Sequence, residues 1–196
     1  MHIFIARALI LIHTDAWKHS ARIAKIIEKR VDKTEKIVYN TYRKGKELMT
    51  MAKAIYFDMD GTIANFYGVE GWLACLEASD PTPYKVARPL VNMNRLARLL
   101  NRLQAEGYHI GIVSWLSKCG TEEFNAKVTA TKEKWLKTHL RSVRWNEVVI
   151  VPYGTPKQTI VQYADGVLFD DEIQNRENWT GTAYDVNQIL EILAEM

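Results

Sequence analysis

Four places in the sequence bring together residue types that handle a phosphate ester and a hard cation. In Ile55-Tyr56-Phe57-Asp58-Met59-Asp60-Gly61-Thr62, two carboxylates two positions apart close an apolar run and are followed by Gly-Thr. Ser114 ends a second apolar run, Lys157 follows Gly154-Thr155-Pro156, and Asp170-Asp171 close a third run, Gly166-Val167-Leu168-Phe169. A carboxylate serves as nucleophile or, when protonated, as proton donor. A hydroxyl and an ammonium hold phosphoryl oxygens as their charge redistributes. Adjacent carboxylates are costly unless a cation sits with them. Each feature alone has an ordinary reading, since Asp and Gly make turns, a strand can end on serine, and most lysines are solvated. Taken in order, the acids, hydroxyl, lysine and acids describe a site for a phosphate and a Mg2+ ion. A carboxylate approaches a phosphate dianion readily only when a divalent cation offsets their repulsion. The candidate ligands are Asp58, the backbone carbonyl of Asp60, and one or both of Asp170 and Asp171.

These residues need elements to carry them. Short apolar runs at 54–57, 109–113, 148–151 and 166–169 read as buried strands, with a shorter one at Ala183-Tyr184. Helical spacing recurs at 90–106, where Leu96, Leu99, Leu100 and Leu103 share a face, and at 122–140, 157–163 and 186–196. Strands alternating with helices predict an α/β fold, a Rossmann-like, three-layer, doubly wound parallel sheet. In such a sheet the site lies outside the carboxyl ends of the strands, where Asp58, Ser114 and Asp170-Asp171 fall. Lys157 is expected to open a helix whose N–H groups suit an anion. Residues at about 61–87 make a small cap insert rich in aromatics: Phe66, Tyr67, Trp72 and Tyr84. Phe66 and Trp72 either pack the cap onto the core or stack on a nucleobase. Lys118 and Arg88 are candidate phosphate or sugar contacts.

The 196 residues have 47% hydrophobic and 25% charged side chains, a globular composition that excludes disorder and collagen-like repeats. The net charge of +3 is unevenly placed. Residues 1–50 carry 11 Lys/Arg against 5 Asp/Glu, and the other 146 carry 15 against 18, a net of −3. The front quarter therefore predicts a basic helical N-terminal extension over Thr14 to Met49, either a targeting or partner-binding helix or a dispensable segment. Met51-Ala52-Lys53 reads as a natural start just ahead of the first strand. Residues 51–196 form the second unit, the catalytic domain with its cap. The opening apolar run is too short to span a bilayer and is broken by Arg7, and it lacks the flanks of a signal peptide. Cys75 and Cys119 are too few for a disulfide framework, which points to a reducing, cytoplasmic setting.

Asp58-Met59-Asp60-Gly61-Thr62, Ser114, Lys157 and Asp170-Asp171 resemble the four motifs of the haloacid dehalogenase-like (HAD) phosphohydrolases, over about residues 53–185. Asp58 through Phe66, the Thr131-Lys132-Glu133-Lys134-Trp135-Leu136 stretch, and the short step from Lys157 to Asp171 are similar to the 5′(3′)-deoxyribonucleotidases within that superfamily. The resemblance implies a Mg2+-dependent phosphomonoesterase in which Asp58 forms an aspartyl-phosphate. Asp60 then acts as acid and base, Ser114 and Lys157 bind phosphate, and Phe66 contacts a base. The expected partner is a small phosphorylated substrate, a nucleoside monophosphate by this likeness, with homodimer formation left open. A phosphatase for another small ester or a polynucleotide 3′-phosphate is the alternative, although a core of net −3 offers no basic track for nucleic acid. A non-catalytic HAD-fold binding protein is the third reading.

Overall fold

The structure, a computed structural model, describes residues 53–196. The expected basic helix of the N-terminal extension lies outside the described residues. In chain order the described elements are strands β1 (Ala54–Phe57) and β2 (Ala64–Asn65), helices α1 (Trp72–Glu77) and α2 (Thr82–Val86), and strand β3 (Arg88–Pro89). They continue with α3 (Met93–Ala105), β4 (His109–Trp115), α4 (Glu122–His139), β5 (Glu147–Val151) and β6 (Val167–Phe169). The last are α5 (Ile173–Asn178), β7 (Thr182–Tyr184) and α6 (Ile189–Glu195).

All four residues of β1 are buried, as a strand covered on both faces requires. It lies at the centre of a five-stranded sheet ordered β5-β4-β1-β6-β7, in which every pairing is parallel. The two-residue period of the strands sorts the core onto two faces. Ile55, Phe57, Ile110, Ile112 and Phe169 meet Leu96, Leu100 and Leu103 of α3, Trp135 and Leu136 of α4, and Ile189 and Leu193 of α6. Ala54, Tyr56, Val113 and Leu168 face the other way, against Trp179 and the partly buried Ile160, Val161 and Tyr163. The α/β, doubly wound reading holds, with one layer of long helices and one much thinner layer.

The thin layer is where the sequence reading needs correction. In place of a helix over 157–163, the chain makes a single 3-10 turn at Lys157–Thr159. Pro156, in extended backbone, precedes it without a side-chain cap. With no helix there, Lys157 does not stand at a helix N-terminus, and its side chain instead reaches the acids at the ends of β1 and β6. Helix α3 starts three residues later than its periodicity suggests, because the Asn92 side chain accepts from Arg95 N at 3.0 Å. Ahead of it, Arg88 and Pro89 pair with Asn65 and Ala64. That two-residue antiparallel pairing fastens the cap's exit beside its entry, so the cap closes at 88–89, just past the expected limit.

Helix α4 joins the cap to the sheet. Thr121 caps it, Glu122 and Glu123 lie in its first turn and Lys137 and His139 in its last, in keeping with the helix dipole. Phe124 and Val128 pack on the cap's Phe66 and Tyr84, while Trp135 enters the main core and donates from Nε1 to Ala87 O at 2.7 Å.

Gly166, immediately before β6, lies against the start of β1, where an added Cβ would lie 2.5 Å from Ala54 O and 2.8 Å from Ala54 Cβ. Gly166→Ala is expected to lower stability by about 1–3 kcal/mol through overpacking, read as a lower urea midpoint with an unchanged slope. An unchanged midpoint would show that the two strands part without cost.

Candidate active site

The chain leaves β1 directly into the site. Asp58 N still donates to Phe169 O of β6, at 2.9 Å. The backbone then turns tightly, with Met59 O accepting from Thr62, Ile63 and Ala64 N. Gly61 sits at φ 80°, and a side chain there would strike Asp171 Oδ2 at 2.3 Å. Glycine is required twice over, by conformation and by the carboxylate pressed against it. The turn brings the Asp58 and Asp60 carboxylates into one cavity of about 540 Å³, which also receives Ser114, Lys157 and Asp171. The expected constellation is therefore brought together, with Asp170 packed immediately behind it.

Lys157 is 3% exposed, and its Nζ donates to Asp58 Oδ1 at 2.8 Å and to Asp170 Oδ2 at 2.7 Å, ion-pairing both strand ends. The ring of Trp115 lies under the ammonium, 5.0 Å to its centroid. Burial alone would push the ammonium down, but the Asp58 and Asp170 carboxylates outweigh it and hold Lys157 above the usual lysine value.

A second buried lysine, Lys132, is a site residue that motif spacing misses. Its Nζ lies 2.7 Å from Asp60 Oδ2, 3.0 Å from Ser114 Oγ and 2.6 Å from Trp115 O. The sequence does hold a sign of it. Phe124, Val128, Lys132, Trp135 and Leu136 form the buried stripe of α4, and an ammonium inside such a stripe demands a buried partner. Burial pushes the Asp60 carboxyl above its usual range, the charge of Lys132 pulls it back, and Asp58 adds to the rise.

Asp170 and Asp171 separate in role. Asp170 is fully buried and saturated: Glu172 N and Asn175 Nδ2 donate to Oδ1, and Lys157 and Asn175 to Oδ2. Asp171 lines the cavity and is held by Thr62, whose Oγ1 donates to its Oδ1 at 3.1 Å and accepts from its backbone N at 3.1 Å. Thr62, which the motif contains but to which the sequence gives no role, thus links the two acid pairs. Arg176 draws the backbone tight by donating to the carbonyls of both aspartates, each at 2.7 Å. Burial, then the charge of Asp58, pushes Asp170 up to about 6. The same causes, with Asp170 added, push Asp171 up to about 7.

Among the described residues no three His, Cys, Asp or Glu side chains converge as a preformed metal cage. The donor set nonetheless fits a divalent cation. Asp58 and Asp171 are cavity-lining oxygen donors whose mutual repulsion is offset, among the described residues, by Lys157 alone, and hard cations take oxygen ligands of this kind. Of the acids named from sequence, Asp60 commits its carboxylate to Lys132 and Asp170 to Lys157 and Asn175. A cation would therefore draw on Asp58, Asp171 and backbone oxygen near Asp60.

The cavity wall beyond the acids is largely aromatic. Phe66, Tyr67, Trp72 and Tyr84 come from the cap side, and Trp115 and Tyr153 from the sheet side. Phe66 is only 3% exposed and its ring stacks on Tyr84 at 4.5 Å, so it mainly packs the cap. Trp72 is partly buried, while Tyr67 and Tyr153 are about half exposed. Lys118 lines the cavity with its Nζ 5.7 Å from the centre of the Tyr153 ring. Arg88 is exposed on β3 and is not among the residues lining the cavity.

No family model matches the chain, and no curated protein matches it. Among solved structures, a D,D-heptose 1,7-bisphosphate phosphatase from Burkholderia thailandensis is similar, with a TM-score of 0.40 and 14% sequence identity. The match covers 63% of this chain and 69% of that chain. No helix among the described residues is long and apolar enough to cross a membrane.

The raised carboxylates have a sign in stability. Because folding lifts Asp170 and Asp171 to about 6 and about 7, their contribution is present at low pH and lost as pH rises through those values. In divalent-free buffer the Tm is expected to fall between about pH 5 and pH 8. Asp171→Asn should flatten that fall, and Mg2+ should restore the native chain more than the variant. Thermal denaturation across the pH series checks this, and a Tm that rises over the interval would overturn it.

Proposed function

We propose that the chain is a phosphomonoesterase of the HAD type, acting through an aspartyl-phosphate on small phosphate esters and best suited to nucleoside monophosphates. The observation that supports this most is the pairing of two aspartates at one strand exit with two different lysines. Asp58 is held by Lys157 and Asp60 by Lys132, which suits two distinct jobs.

In the first step a carboxylate oxygen of Asp58 attacks phosphorus while the ester oxygen departs with a proton from Asp60. In the second, Asp60 takes a proton from water as the water oxygen attacks phosphorus, freeing phosphate and the Asp58 carboxylate. Ser114 Oγ and the Lys157 ammonium hold the phosphoryl oxygens throughout. A Mg2+ ion held by Asp58, Asp171 and the Asp60 carbonyl would neutralise charge on the phosphoryl group and its nucleophile. Burial of Asp60 and the nearby charge of Asp58 favour the protonated form that the first step needs.

The aromatic wall supports the nucleotide reading, since a ring face accepts any base. The rim favours one phosphate over several. Glu77 and Glu172 line the cavity, Lys118 is its only basic lining residue among the described residues besides the acid-paired Lys157, and the charge of −3 on residues 51–196 gives a polynucleotide backbone no track.

Phosphate release is to be measured across nucleoside monophosphates, sugar phosphates and 3′-phosphorylated oligonucleotides, with and without Mg2+. Nucleoside monophosphates should lead, and Asp58→Asn should reduce the rate by about 10³-fold or more. An Asp58→Asn variant that keeps its rate would remove the nucleophile assignment. An equal response to all phosphate esters would remove the nucleotide preference.

A further inference from the structure

Lys132 is the least expected charge in the molecule. It is 1% exposed and occupies the middle of α4's apolar stripe, between the turn that packs the cap and the turn that enters the main core. An ammonium has three N–H donors. All three are used, on Asp60 Oδ2, Ser114 Oγ and Trp115 O, and the Tyr84 ring lies 5.2 Å from the nitrogen. An ammonium with so full a shell has no donor left for a substrate oxygen, so its effect on chemistry passes through the groups it holds.

We propose that Lys132 is the positioning residue of the proton-transfer step, fixing the Asp60 carboxyl toward the leaving oxygen and the Ser114 hydroxyl toward the phosphoryl group. This rests on the phosphatase reading above. Lys132 engages Oδ2 of Asp60, so Oδ1 is the oxygen left to face the ester. As the ester bond breaks, the proton on Asp60 passes to the departing oxygen, and the carboxylate formed is met by an ammonium already in place. When water attacks the aspartyl-phosphate, that carboxylate takes the water's proton from the same orientation. The same lysine reaches Ser114 on β4, so the acid and one phosphate-binding hydroxyl are set by one nitrogen. The remaining contact, to the Trp115 carbonyl, anchors that nitrogen to the end of the strand.

This role differs from a structural one in how loss of the lysine depends on the leaving group. An ester with a poor leaving group needs the proton, whereas 2,4-dinitrophenyl phosphate leaves without it. General acid catalysis is worth about 10²–10⁴-fold. Lys132→Met is therefore expected to reduce kcat/KM, which reports the leaving-group step alone, on a nucleoside monophosphate or an alkyl phosphate by about 10²-fold more than on 2,4-dinitrophenyl phosphate. A loss in kcat/KM common to both substrates reports the Ser114 contact, and a common loss in kcat also reports the water-attack step that all esters share. Removing the lysine leaves a buried carboxylate unpaired, so the double variant Asp60→Asn/Lys132→Met, which has no such charge, accompanies it. On 2,4-dinitrophenyl phosphate, Lys132→Met should cost less in the Asp60→Asn background than in the native one. Lys132→Arg, which keeps the charge, should recover part of the leaving-group dependence. Equal losses in kcat/KM on all esters, or additive losses in the double variant, would overturn the positioning role while leaving the phosphatase reading intact. A native chain that cleaves none of the esters would overturn both.

Discussion

The site depends on a charge balance that two buried lysines leave incomplete. Four carboxylates, Asp58, Asp60, Asp170 and Asp171, gather at the ends of β1 and β6, and two ammonium groups, Lys132 and Lys157, are buried among them. Burying an unpaired carboxylate costs far more than burying a paired one, so each lysine has a fixed assignment. Lys157 spans Asp58 and Asp170, and Lys132 takes Asp60. Asp171 is the remainder, with a neutral hydroxyl from Thr62 as its side-chain partner and a proton affinity raised by burial and by the charges of Asp58 and Asp170. The deficit amounts to two charges, and a divalent cation has the size, charge and oxygen preference to meet it.

That balance explains several local choices that otherwise look unrelated. Gly61 must be glycine because the loop runs against Asp171. Asn175 is nearly buried because Asp170 needs donors on both oxygens. Arg176 spends its guanidinium on backbone carbonyls because those carbonyls set the direction of the two aspartates. Helix α4 tolerates a lysine in its apolar stripe because the ends of β1 and β4 provide three acceptors for it. Each is a case of a buried polar group that must be fully satisfied or absent.

Much of this was legible in the sequence where a feature is local and apolar. The strands at β1, β4, β5 and β6 follow from short apolar runs, although β5, expected to be buried, lies at the sheet edge with no fully buried residue, and the placement of the acids that close β1 and β6 follows from the geometry of parallel sheets. What was not legible depends on partners distant in sequence. The stretch after Lys157 has helical spacing, yet it covers a sheet face by loop packing with one 3-10 turn. β2 and β3 are two residues each and carry no period to read. Lys132 and Asp60 are 72 positions apart, and nothing in either segment alone shows that they meet. Thr62 likewise acquires its meaning only when Asp171 is placed against it, 109 residues later.

The two lysines also bear on what the cavity selects. An enzyme that binds a substrate with several phosphates needs uncommitted cations to receive them, because each phosphate brought into a closed site without one is repelled. Here both buried ammonium groups are already bound to carboxylates, and Lys118 lies beside the Tyr153 ring at the cavity wall. Glu77 and Glu172 add negative charge to the same wall. On the proposed mechanism the phosphate that reacts would be served by Ser114, by Lys157 and by the cation, while a second phosphate further out would meet acids and rings. Rings favour a flat, uncharged group through stacking and area burial. On the proposed reading, the charge arrangement that suits the aspartates to act as nucleophile and acid also favours a neutral, planar remainder of the substrate, which is the chemistry of a nucleobase.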